Sequence, residues 1–391
     1  MEQDRTGARI REIMGEFAGS TGLEPVSPHP HRYLWTDAFA VCNYLQIFRL
    51  TGDSVDRDLV LRLVDQVHHT LGRHREDDPR EGWISGLSEQ EGRLHPTAGG
   101  LRIGKPLAER RLGEPPDERL EWEQDGQYYH YLTKWMHALN RVGRVTRDPV
   151  YLRWAIELAW SAHAAFTYRP PSGGRKRMYW KMSIDLSRPL VRSMGQHDAL
   201  DGFVTYSELQ AAAARDFSGS PLPGLGTEIA DMADICRGGG WVTDDPLGIG
   251  GLLFDAVRIS QLTIQGSSRY GELLEQVLEA ALIGLESFAE SGSLHLPAGH
   301  RLAFRELGLA IGLAGIGMVQ DGIRESPQLH GRRGLLTQQV RALLRYEPLG
   351  QAILKSWMDV KNREAGTWTA HREINMVMLA TSLAPGEFLS V

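Results

Sequence analysis

Apolar residues recur at helical spacing along most of this chain. Ile10, Ile13, Met14 and Phe17 form one stripe, and Leu59, Leu63, Val67 and Leu71 form another. Start and stop signals frame these stripes. Gly52 follows the segment 35–50 as a C-cap, and Asp53-Ser54 supplies an N-cap for the next. Asp148-Pro149 opens the segment 149–166 with proline at the first helical position. The same logic predicts helices over 127–142, 198–214, 226–236, 247–264, 270–288, 302–319, 335–344, 349–357 and 368–383. The run Gly308 to Gly317 is unusually rich in Gly and Ala for a helix, which implies close packing against its neighbours.

Six of these helices open on polar clusters, at 31–37, 123–127, 195–198, 243–246, 300–306 and 368–373. The sequence therefore reads as six helical hairpins, an outer helix alternating with an inner one. The expected fold is all-α, an (α/α)6 barrel in a single domain over residues 1–391, with the polar openings converging on one mouth. Two segments interrupt the helices. Residues 75–121 are charged and rich in Gly and Pro, and loops of that length commonly serve function or are disordered. Residues 168–192 contain Arg177 to Ser183, which fits a short strand or β-hairpin beside the mouth.

Composition narrows the class. Hydrophobic residues make up 42% and charged residues 24%, as in globular proteins. The net charge of −6 gives no reason to expect nucleic acid or an anionic membrane as partner. The segment 1–22 lacks the apolar core of a signal peptide. The longest apolar run, 307–319, is about 13 residues against roughly 20 for a bilayer span. Cys42 and Cys236 are too few for a disulfide framework. The expectation is a cytoplasmic protein.

The strongest local constellation is His197-Asp198-Ala-Leu-Asp201, with two acids in the first turn of a predicted helix. Three residues apart, they share a helix face, with Cβ atoms roughly 5–6 Å apart. Such a pair can push one carboxyl upward and so provide an acid and a base from identical side chains. The alternative is an N-cap followed by a dipole-stabilising acid. Asp37, after Trp35, is either a base or sugar ligand, or a first-turn acid. The run Asp125-Gly-Gln127-Tyr128-Tyr129-His130 combines hydrogen-bonding groups with rings that can stack on a sugar, or else its Tyr and His side chains belong to the core. His371 beside Trp368 pairs a group titrating near neutrality with a flat apolar surface. His300, Arg301, Arg305 and Glu306 are further candidates; an arginine here suits a carboxylated sugar, and the alternative is that Arg305-Glu306 is only an ion pair. Trp180 lies in the second interrupting segment, where it either stacks on sugar or covers the core.

Sharper motifs fail on inspection. Residues 99–105 spell G-x-x-x-x-G-K, but Pro106 replaces the magnesium-binding Ser or Thr and no strand is predicted before it. His68, His69 and His74 lack zinc-site spacing and read as a polar helix face. Neither a nucleophile elbow nor a dinucleotide fingerprint occurs. No cofactor or metal is expected.

The layout resembles the six-hairpin glycosidase superfamily. Within it, the chain is similar in size to the N-acylglucosamine and cellobiose 2-epimerases and to the unsaturated glucuronyl hydrolases. The resemblance implies a funnel at the N-terminal ends of the inner helices, where free N–H groups and the helix dipole suit carboxylates and sugar hydroxyls. On the epimerase side it implies roles for Arg32, His197, Trp368 and His371, although Asp244-Asp245-Pro246 stands where that family carries His-x-x-Glu. On the hydrolase side it implies catalytic aspartates among Asp37, Asp125, Asp198 and Asp201. Three functions follow as expectations, in order: glycoside hydrolysis, sugar 2-epimerisation, and sugar binding without catalysis. All three take a small saccharide as partner.

Overall fold

The computed structural model describes residues 2–264 and 270–391. It is mostly helical, with a few short strands, and groups into two compact units. One, termed here the N-terminal unit, comprises Ala18–Phe48 and Asp53–Gly239. The other, the C-terminal unit, comprises Met1–Phe17, Arg49–Gly52 and Gly240–Val391.

In the N-terminal unit the predicted caps are formed. Asp53 accepts from the Val55 amide at 3.0 Å and starts Ser54–Leu71, which buries Val60, Leu63, Val64, Val67 and Leu71. Asp148 accepts from the Val150 amide and starts Pro149–Phe166. The helix Tyr129–Thr146 packs against Pro149–Phe166 and against Asp198–Asp216, which in turn packs on Gly226–Cys236. His68 is a correction to the sequence reading. It is buried within the core, where its Nε2 accepts the Trp135 indole N–H at 3.2 Å. Burial pushes its pKa down to about 3, so the ring stays neutral and serves as an acceptor.

Helix Tyr129–Thr146 starts two residues later than its pattern predicts. Gln127–Tyr128 is instead a strand, paired antiparallel with Lys181–Met182, which also pairs with Pro189–Val191. Gly126 makes this possible. Its φ of 146° lies in the glycine-favouring region, and an added Cβ would sit 2.7 Å from the Met182 carbonyl oxygen. A second small ladder joins Thr167–Tyr168 to Arg177–Met178, so the expected β structure is present in the segment 168–192.

The long loop is ordered around short elements. Ser88 and Glu91 form a capping box on Glu89–Leu94, and Asp117 caps Glu118–Glu123. Arg80 binds Asp78, Glu109 and Asp185, tying the loop to the segment after the central strand.

In the C-terminal unit, Pro246–Ile264 packs against Gly271–Glu290 and Ala303–Ala314. The glycine-rich run does what its composition predicts. A Cβ on Gly250 would lie 2.2 Å from the Gly308 carbonyl oxygen, so the two backbones touch. The predicted single helix 302–319 departs from α geometry at Gly315 and resumes as Ile316–Glu325. Pro246–Ile264 and Ala303–Glu325 are long and apolar enough to cross a membrane, and 72% of each apolar window is buried in the protein. The predicted closing helix 368–383 is also divided, into Gly366–Thr369 and Arg372–Leu383, with Asn375 Nδ2 donating to the Trp368 carbonyl across the break at 3.0 Å.

Candidate functional site

The site is built where Asp198–Asp216 begins. His197 is its N-cap residue, and its carbonyl accepts the Asp201 amide at 2.9 Å. The first turn directs Asp198 and Asp201 to one side, toward Tyr129–Thr146, and both are 5% exposed. Their surroundings then diverge. Asp201 Oδ2 accepts from Lys134 Nζ at 2.7 Å and from Thr133 Oγ1 at 2.5 Å. Asp198 Oδ2 is buried without a hydrogen-bond partner, and Oδ1 lies 3.6 Å from His130 Nδ1, beyond hydrogen-bonding range.

This asymmetry sets the protonation of Asp198. Burial first, and the charge of Asp201 second, raise its pKa from 3.8 to about 7, while Lys134 pulls the other way. Near neutral pH the carboxyl therefore holds its proton and can release it. His130 moves in the opposite direction, down to about 4, through burial and the nearby Lys134 ammonium. A neutral carboxylic acid and a neutral imidazole thus face each other.

Aromatic rings flank this pair. The ladder between Gln127–Tyr128 and Lys181–Met182 brings Trp180 beside Tyr128, with centroids 4.8 Å apart and planes at 30°. His130 lies near parallel to both, at 18° to Tyr128 and 13° to Trp180. Tyr131 meets Tyr128 and His130 edge-on and donates to, or accepts from, the Tyr33 hydroxyl at 2.7 Å. Trp35 joins through Tyr131, 6.3 Å between centroids. The Tyr128 hydroxyl and His130 Nδ1 are both buried and lack hydrogen-bond partners. Burial raises the phenols of Tyr33, Tyr128 and Tyr131, so all three remain protonated donors.

The other predicted residues of this unit hold structural contacts. Asp37 Oδ2 accepts the Tyr33 amide at 3.0 Å, and Oδ1 lies 3.3 Å from Arg32 Nη1. Arg32 is itself buried and donates to the carbonyls of His31 and Thr21. Asp125 is fully buried, ion-paired with Arg75 and Arg102, and accepts amides from Gly104, Lys105 and Gly126. Gln127 accepts the Leu101 amide and donates to the carbonyls of Gly99 and Ile184. These side chains anchor the loop to the site's supporting strand. Only Trp35, Tyr128, Trp180, Asp198 and Asp201 of the predicted set belong to the aromatic and acidic cluster, with His197 at its edge.

The remaining candidates lie in the C-terminal unit. His300 and His371 are exposed, the latter edge-on to Phe304 at 5.5 Å. Arg305 pairs with Asp245 at 2.9 Å. Its sequence neighbour Glu306 instead takes both arms of Arg301, at 2.8 and 2.6 Å, and the Trp357 indole N–H at 2.8 Å. Trp368 is buried, stacked on Trp357.

Sequence reasoning missed Thr133, Lys134, Tyr131 and the acid-facing position of His130. One signal was available: His130 and Lys134 are four residues apart on a helix and so share a face. Among the described residues no group of three or more His, Cys, Asp or Glu side chains is disposed to hold a metal ion. No family model matches this chain, and a search of curated proteins finds no match either.

Proposed function

We propose that this protein is a carbohydrate-active enzyme of the glycoside-hydrolase type, built on an (α/α)6 toroid, with Asp198 as the proton donor. The observation that carries the reading is a buried carboxyl, protonated near pH 7, beside near-parallel aromatic rings. Of these rings Trp180 and His130 are half-buried and can meet the C–H side of a sugar, while Tyr128 packs behind them, and the unpartnered Tyr128 hydroxyl and His130 nitrogen suit sugar hydroxyls. In the reaction, Asp198 gives its proton to the glycosidic oxygen as the bond to the anomeric carbon breaks. The electron pair leaves with the departing alcohol. Water adds to the anomeric carbon, and its surplus proton returns to Asp198. Asp201, held by Lys134 and Thr133, is the second carboxylate of the pair and has the role of favouring the positive charge that develops on the ring.

A second reading, a cofactor-free sugar 2-epimerase, draws on the His130 imidazole 3.6 Å from Asp198, a neutral base beside a neutral acid. One experiment separates the two. The protein is incubated in deuterium oxide with aryl glycosides and with free aldoses, and products are followed by NMR. Release of the aryl alcohol, lost in Asp198→Asn, supports hydrolysis. Deuterium at C2 of a free sugar supports epimerisation. Binding of sugars with neither change would leave a non-catalytic sugar-binding protein.

A further inference from the structure

We propose that Trp122 and Trp180 form a second sugar subsite beside Asp198, so that the ligand is an oligosaccharide rather than a single sugar. This deepens the carbohydrate reading above and rests on it. Trp122 is 54% exposed, an unusual position for a large indole, and it directly follows the buried Glu121. Its ring meets Trp180 at 4.8 Å and 65°, and Trp180 is the ring that lies near parallel to His130. The aromatic surface therefore runs without interruption from the acid to a solvent-facing indole.

That indole is held in place by buried chemistry. Lys181, next to Trp180 in the chain, is fully buried and donates through Nζ to the carbonyls of Glu121 and Gln124, at 2.5 and 2.8 Å. These two carbonyls bracket Trp122. Arg110 binds the Glu121 carboxylate from the other side. One ammonium thus fixes the backbones that carry both indoles, which is the preorganisation a stacking platform needs and a solvent-facing loop residue does not. The side-chain oxygen of Gln124, two residues on in the chain, is buried without a hydrogen-bond partner.

The test measures equilibrium binding in the Asp198→Asn background, where turnover is removed. Calorimetry compares cellotetraose, maltotetraose, xylotetraose and mannotetraose with glucose, xylose and mannose. The expected result is one tetrasaccharide bound at least tenfold tighter than its monosaccharide. Adding Trp122→Ala should cut that ratio about tenfold, which corresponds to about 1.4 kcal/mol, while Trp122→Phe keeps most of it. Thermal melts check that both variants remain folded. An unchanged ratio in Trp122→Ala, with binding and wild-type turnover intact, overturns the subsite and leaves the catalytic reading standing. A change in sedimentation with no change in the ratio would make Trp122 a contact between proteins, and likewise overturns it. Absence of binding and turnover across the whole panel overturns both.

Discussion

Replacing Asp198 by asparagine should stabilise the folded protein above neutral pH while removing the proposed proton donor. The carboxyl titrates near 3.8 when unfolded and at about 7 in the fold. Below 3.8 both states carry the proton. Between the two values the native state keeps it and the unfolded state has lost it, so stability falls as pH rises. Above about 7 the native carboxylate is ionised in a buried setting beside Asp201, and the full penalty is present. The shift corresponds to about 4 kcal/mol, of which about 3 kcal/mol develops between pH 5 and pH 8.

Asparagine has nearly the same shape and no such titration. Urea unfolding of wild type and Asp198→Asn at pH 5, 6, 7 and 8 isolates this group, because the other carboxylates are common to both proteins. The stability difference should grow in favour of the variant across this range and level off above pH 7. Activity should be lost in the variant, and wild-type activity should fall on the alkaline side with a midpoint near 7. A stability difference that does not vary with pH would refute the argument, because it would mean that Asp198 ionises as an ordinary carboxylate.

Lys134→Met leaves Asp201 without its buried cation, and unpairing of this kind costs about 3–5 kcal/mol; it should also move the alkaline limb of activity upward, since the ammonium favours ionised Asp198. A pH–rate profile together with a thermal melt checks both effects, and Lys134→Arg should restore much of each. Gly195→Ala introduces a Cβ about 2.4 Å from Asp198 Oδ2 and should lower turnover tenfold or more while leaving the melting temperature nearly unchanged, as measured by kinetics and calorimetry. His68, neutral in the core, makes stability fall as pH drops from 6.5 toward 3; His68→Gln should flatten that acid limb in urea titrations from pH 4 to 7.

The parts of the fold legible in the sequence are those set by local chemistry. Asp53 and Asp148 cap the helices their spacing predicts, because an N-cap needs only the next two or three amides. The glycines near 308–312 signal a close helix approach, and Gly250 supplies the facing backbone. The i, i+3 spacing of Asp198 and Asp201 puts both on one face. What the sequence hides depends on distant partners. Gln127 lies in a strand because Leu101, Gly99 and Ile184 bind its side chain, and none of these is a sequence neighbour. Glu306 pairs with Arg301 rather than the adjacent Arg305, because the five-residue separation brings both arms of Arg301 to its carboxylate. Lys134 reaches Asp201 across a helix pair, which no local pattern specifies.

The same contrast explains why acids that look alike at helix openings do different work. Asp125 meets two guanidinium groups and three amides, so its oxygens have no capacity left for a substrate. Most of those donors come from the long charged loop, which the sequence alone leaves between a functional and a disordered reading. Arg75, Arg102, Gly104 and Lys105 bind Asp125, while Gly99 and Leu101 bind Gln127. The loop's work is thus structural at this point: it fixes the strand that presents Tyr128 and receives Lys181. Asp198 receives no comparable set of donors. Its Oδ2 is buried and unpartnered, which raises the cost of ionisation and leaves a proton to give. A carboxylate saturated by donors anchors structure, and one deprived of them can do acid chemistry. By that criterion the loop and Asp125 are the framework, and Asp198 is the carboxyl left with a proton to give.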